Sequence, residues 1–136
     1  MRRAVVAFGV VIVGLGVFAG GLAWVLDAPK PPPGTPRIER LYLGLCATCH
    51  GADGRGSWRA TFFLIRPGDF GDAARMRGQT DQYLFDVIKH GGAPLGRPGM
   101  PAFGASLADD DIRALVTYLR TLQGRAPRHA ERPGAS

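Results

Sequence analysis

The sequence predicts an all-α domain set behind a single membrane-spanning helix. Three observations carry that prediction. Residues 4–26 hold no charged or strongly polar side chain. Three later stretches repeat their apolar residues at helical spacing, and no run alternates apolar and polar residues as a half-buried strand would. With 136 residues the chain has room for one small domain and its attachments, not for two separate cores.

The apolar run of 23 residues comes directly after Arg2 and Arg3. As a helix rising about 1.5 Å per residue it matches the hydrocarbon core of a bilayer, roughly 30 Å thick. A cleaved signal peptide is the alternative, with Gly21-Leu22-Ala23 as its small-residue cleavage site, although signal apolar regions are usually shorter, about 7–15 residues. The positive-inside rule keeps Arg2 and Arg3 in the cytoplasm, so either reading exports the chain beyond Asp27. Residues 1–27 are therefore expected to form an N-terminal anchor or an uncleaved signal. Residues 28–36 carry five prolines in nine positions and are expected to be an extended, polyproline-type linker. Residues 37–124 form the folded domain. Residues 125–136, polar and rich in Pro, Gly and Arg, are expected to be a flexible basic tail.

Within the domain, residues 37–46 place Ile38, Leu41, Tyr42 and Leu45 at helical spacing. Residues 51–78 contain many glycines and little periodicity, and read as loop with a short helical turn near residues 72–77. Residues 80–90 open on the N-cap Thr80, stop at Gly91-Gly92, and present Leu84, Val87 and Ile88 on one face. Residues 109–123 open on three aspartates, favourable at a helix N-terminus. They continue through Ile112, Leu115, Val116, Leu119 and Leu122 before Gly124. Three modest helices joined by long glycine-rich connections bury little apolar surface, while ordering those connections costs about 1–2 kcal/mol per residue. Something large and apolar is expected to fill the middle.

The formal charge of +6 invites an acidic partner, but the excess lies at the chain ends. Residues 41–124 set nine Lys and Arg against eight Asp, with no basic stripe interleaved with aromatics. Nucleic-acid binding is not expected. The aspartates are scattered over loops and helix starts as caps and solvated charges, so no acid–base or nucleophilic site and no small-molecule substrate are expected.

Both cysteines of the chain lie in Cys46-Ala47-Thr48-Cys49-His50. A redox dithiol would require a βαβ setting, which the sequence lacks. A structural zinc site takes four ligands, and this stretch offers three crowded ones. The spacing Cys-x-x-Cys-His is the attachment signature of c-type haem. Two thiols on one helical turn add across the two vinyl groups, and the adjacent His50 turns its imidazole to the iron. A sixth ligand is then needed, or an open site. Met76 lies in a short helical stretch, where methionine is usually core filler. Met100 lies in Arg97-Pro98-Gly99-Met100-Pro101, a stretch stiffened by prolines on both sides and suited to holding a thioether against a metal. His90 reads as a solvated helix-end residue.

On CATCHG at 46–51, MPAFG at 100–104 and Asp109-Asp110-Asp111-Ile112 opening a last helix with Tyr118-Leu119, the chain resembles the class I cytochromes c in their membrane-anchored bacterial monohaem form. The resemblance covers about residues 37–122. It implies a small cytochrome c fold, three main helices around one covalent haem c, with the first and last helices crossing beside it and Tyr42 meeting the last helix near Leu115 and Tyr118. It implies that the carbonyl of Pro67 accepts from the ligand histidine. The chain departs from the family at Ile38, where a glycine usually lets those helices cross closely. The function implied is one-electron transfer through a His50/Met100-ligated iron, with membrane-bound or periplasmic redox proteins as partners and the haem domain on the periplasmic side of a bacterial inner membrane. A haem-based sensor with a labile sixth ligand is the alternative.

Overall fold

The computed structural model describes residues 2–26 and 31–124. Linker residues 28–30 and the tail at 125–136 lie outside the described residues. Among the described residues seven α-helices succeed one another: α1 (Arg2–Leu26), α2 (Arg37–Leu45), α3 (Ala47–His50), α4 (Trp58–Phe62), α5 (Ala73–Arg77), α6 (Asp81–His90) and α7 (Asp109–Thr121). A 3₁₀ turn, Ala93–Leu95, comes after α6, and the described residues contain no strand. The all-α expectation holds.

Helix α1 is long and apolar enough to cross a membrane, and its apolar span packs against nothing else in the described chain over most of its length. The linker is not wholly extended. Thr35 donates to the carbonyl of Pro32 from both its N–H, at 3.3 Å, and its hydroxyl, at 2.7 Å. Pro33 at the second position and Gly34 at φ +82° at the third make this a type II turn. Arg40 from α2 also donates to the carbonyl of Thr35 at 2.5 Å.

Local chemistry starts the helices. Ser57, Asp72 and Thr80 each cap the next helix by accepting a backbone N–H, from Arg59, Arg75 and Tyr83 respectively. Helix α7 has no side-chain cap but carries Asp109, Asp110 and Asp111 in its first turn, where carboxylates offset the exposed N–H groups. Helix α4 and the 3₁₀ turn fall inside stretches that show no apolar period, and were not anticipated.

Helix α7 is the central element. Its buried Ile112, Leu115, Val116 and Leu119 meet Tyr42 and Leu43 of α2, Leu84 and Ile88 of α6, and Met76 of α5 in one cluster. Tyr42 and Ile112 are completely buried. Burying a side chain of this kind contributes about 1.5–3 kcal/mol. The Tyr42 and Tyr118 rings lie 5.2 Å apart, tilted 50°, as expected for the crossing of the first and last domain helices. Ile38 packs against the same cluster, so the crossing accommodates a full side chain where the family usually has glycine.

Polar clasps fix both ends of α7. Arg37 at the start of α2 pairs with Asp111, and Lys89 at the end of α6 reaches Asp109 at 2.8 Å. At the other end, Arg120 donates to the carbonyls of Met76 and Gln79 and to the Asp81 carboxylate, tying α5 and α6 to the last turn of α7. Hydrogen bonds from Lys89 and Arg37 hold the Asp109 and Asp111 carboxyls below their ordinary value of 3.8. A carboxyl depressed in the folded state stabilises the fold above its unfolded value, and that contribution disappears as pH falls through the folded value. Both pairs are partly open to solvent, so the effect is modest and screened by salt. Between about pH 5 and pH 3 the melting temperature should fall more steeply for the native chain than for Asp111→Asn. Thermal unfolding at low ionic strength followed by circular dichroism measures the difference.

Candidate functional site

Helix α2 ends at Leu45, and the N–H of Cys46 still donates to Tyr42 at 2.8 Å. The chain then turns at Cys46 and re-enters a helix at Ala47, so the helix expected over 37–46 runs almost directly into α3. This turn brings Cys46, Cys49 and His50 to the wall of a cavity of about 470 Å³. Cofactor and ligand sites typically occupy about 300–1,000 Å³. Leu84, Val87 and Ile88 of α6 and Leu115 and Leu119 of α7 supply apolar walls. Met100 lines the cavity from the loop after α6, and Met76 lines it from α5. All four predicted site residues are thus brought together.

The two methionines differ in setting. Met76 is buried in the helix cluster, as filler would be, whereas Met100 is half-buried on a non-helical segment. His90 is exposed at the end of α6 and is not among the cavity-lining residues; His129 lies outside the described residues. Among the described residues no group of three or more His, Cys, Asp or Glu side chains could hold a metal ion.

His50 is held on two sides. Its ring stacks on Phe70, with centroids 4.3 Å apart and 13° between planes. Nδ1 lies 3.2 Å from the carbonyl oxygen of Gly68. The acceptor is therefore Gly68 and not the expected Pro67: the proline ring lies on the side of Gly56, and the next carbonyl faces the imidazole. Burial holds the His50 ring below its ordinary value of 6.5, outweighing the opposing effect of the Gly68 carbonyl. A neutral ring is the form that coordinates metals. Burial, assisted by Cys49, pushes the Cys46 thiol up to about 12. Both thiols are half-buried on the cavity wall.

The loop carrying Met100 is clamped to the end of α6. Gly92 donates to Met100 at 3.0 Å, Arg97 donates back to Gly92 at 2.9 Å, and Phe103 and Gly104 donate to Ile88 and Lys89 at 3.0 Å each. Gly91, at φ +78°, and Gly92 leave no room for a side chain. A Cβ on Gly92 would overlap the Arg97 oxygen and lie 3.0 Å from the Met100 Cβ. The sequence marks this pair only as a helix stop; its second role as the seat of the methionine loop depends on residues further along the chain. Arg66, Arg75 and Arg97 also line the cavity, and they too were not singled out, because no local pattern marks an arginine that faces a cavity.

Gly92→Ala should cost about 1–3 kcal/mol through overpacking and release the loop. Amide hydrogen exchange should accelerate at Arg97 and Met100 while the amides of α2 and α7 keep their order of protection.

A protein-family model described as "Cytochrome C oxidase, cbb3-type, subunit III" matches residues 34–119. The subunit FixP of cbb3-type cytochrome c oxidase from Azorhizobium caulinodans is 30% identical over 98 residues, covering 71% of this chain and 30% of that protein. The FixP of Rhizobium meliloti is 27% identical over 101 residues, covering 72% of this chain and 31% of that protein. The chain thus spans about a third of the length of these two relatives. Cytochrome c6 of Diacronema lutheri is 26% identical over 92 residues, with 63% of this chain and 93% of that one covered. Among solved structures, the KustC0563 c-type cytochrome superposes with a TM-score of 0.53 at 29% identity, over 62% of this chain and 95% of its own. The cavity, the paired cysteines beside a histidine and these likenesses converge: the chain belongs to the cytochrome c family described as cbb3-type oxidase subunit III, an electron-transfer family whose cofactor is covalent haem c with its iron.

Proposed function

We propose that this chain is a one-electron carrier domain tethered to a bacterial inner membrane by α1, with its haem on the periplasmic side. In this reading residues 1–27 are the anchor, 28–36 the linker, 37–124 the monohaem domain and 125–136 a basic tail. Cys46 and Cys49 would form the two thioethers, and His50 and Met100 would hold the iron. The observation that carries the reading is the convergence of these four residues on one apolar cavity.

When bound, the haem would supply a reversible one-electron change at iron, and ligation by both His50 and Met100 would raise the potential and leave no place for a substrate. The protein's part is positional. The Gly68 carbonyl and the Phe70 ring fix the orientation of His50, which leaves Nε2 as the nitrogen for the metal. The clamp between Gly92 and Met100 fixes the thioether loop. The apolar faces of α6 and α7 exclude water, and Arg66, Arg75 and Arg97 offer cationic partners for the two carboxylates of a haem. The names of the FixP relatives support work within, or beside, a cbb3-type cytochrome c oxidase, and the likeness to cytochrome c6 supports a carrier role. Donor and acceptor are redox proteins at or in the membrane.

Met100→Ala should retain haem, lose the sulfur–iron charge-transfer band, bind added imidazole and show a lower potential. Met76→Ala should keep that band and lose only stability, about 2–5 kcal/mol. Absorption spectra and redox titration of the two variants decide. Loss of the band in Met76→Ala would assign the sixth ligand to Met76. A native protein that is high-spin would favour the sensor reading.

A further inference from the structure

Apart from α1, large exposed apolar side chains concentrate in one stretch of the described chain, at and just after α4. Trp58 is 52% exposed, Phe62 69%, Phe63 51% and Leu64 92%. Leu64 also sits at φ +58°, the only non-glycine residue with positive φ among the described residues. A leucine in that conformation is uncommon, and here it stands at the mouth of the cavity, between the site and the exposed aromatic side chains. Residues 54–68 carry Arg55, Arg59 and Arg66 and no acidic residue.

The same stretch is joined to the end of α1. The Trp24 and Trp58 rings stack at 5.4 Å with 28° between planes. Arg59 donates to the carbonyl of Trp24 at 3.3 Å, and its guanidinium lies 5.4 Å from the Trp58 ring centroid. Trp24 lies in the last turn of α1. With Arg2 and Arg3 at the cytoplasmic end, that last turn is at the outer interface of the bilayer, the level at which tryptophan is enriched. Whatever stacks on Trp24 is at the same level.

We infer that Trp58, Phe62 and Phe63 seat the haem domain in the lipid interface beside its own anchor. The occupant of this apolar surface is the phospholipid bilayer: the apolar rings enter the headgroup–acyl boundary, and Arg55 and Arg59 lie near the phosphates. The inference rests on the reading of α1 as a membrane span. It deepens that reading by giving the domain a second membrane contact and one orientation. Residues 64–67 run directly from this surface into the cavity wall, where Leu64, Ile65, Arg66 and Pro67 are lining residues. The cavity wall formed by this segment therefore lies toward the membrane, where a membrane-embedded redox partner would meet it, and the domain does not swing freely on its linker.

The test uses the full-length holoprotein in vesicles of phosphatidylethanolamine and phosphatidylglycerol, with a nitroxide on a single introduced cysteine. Three sites are compared: Phe62→Cys in the patch, Phe18→Cys on α1, and Thr117→Cys on the exposed face of α7. Power saturation reports collision with oxygen, which concentrates in lipid, against a water-soluble nickel chelate. The oxygen-to-nickel ratio at Phe62→Cys should exceed that at Thr117→Cys several-fold and approach that at Phe18→Cys. A lipid-like value at Phe18→Cys with an aqueous value at Phe62→Cys overturns the seating while leaving the anchor in place, and assigns the patch to a protein partner. An aqueous value at Phe18→Cys overturns the anchor itself. Phe62 is 69% exposed and does not line the cavity, so its substitution threatens neither the fold nor the site.

Discussion

A cavity of about 470 Å³ within a domain of under a hundred residues is the constraint on which the other features depend. A domain this small has little apolar surface to bury, and here much of its inward-facing surface lines the cavity. Leu84, Ile88, Leu115 and Leu119 belong both to the helix cluster and to the cavity wall. Each buries one flank against protein and offers the other to a group that the chain does not itself provide. A large flat apolar cofactor completes the core, and binding it stabilises the folded state by mass action or, when covalent, permanently. Site and core are therefore the same set of residues.

This dependence explains why so much of the chain outside the main helices is held by hydrogen bonds instead of packing. The stretch between α3 and α5 closes through Gly56 donating to His50 and Phe70 donating to Gly54, both at 2.7 Å. The methionine loop closes on Gly92, and Arg120 gathers the ends of α5 and α6 onto α7. Loops ordered in this way can present a carbonyl to an imidazole or a thioether to a cavity with little apolar burial of their own. They do so at positions fixed by α7, whose two ends are tied by ion pairs and whose middle is buried.

Much of this was legible in the sequence because the signals are local. Thr80 announces α6 through its side chain, Asp109–Asp111 announce α7 through charge, and Cys46, Cys49 and His50 fall within one helical turn by spacing alone. The place of Met100 on a non-helical segment was legible because flanking prolines exclude a helix. The features that were not legible depend on partners distant in the chain. The acceptor for His50 is Gly68 because the path of the loop past Gly56, not its composition, decides which carbonyl faces the ring. The 28–36 segment reads as extended from its prolines, yet Gly34 closes a turn within it once Arg40 is there to hold the carbonyl of Thr35. Helix α4 had a cap signal in Ser57 but no apolar period, since its large side chains face outward and not into the core.

The most direct test of the account is the mass of the mature protein after denaturation and acid extraction. Addition of a thiol across a vinyl group eliminates nothing, so the account predicts a species heavier than the polypeptide by one intact haem, with Cys46 and Cys49 both unreactive toward thiol reagents. A mass equal to that of the polypeptide alone, with two reactive thiols, would contradict it.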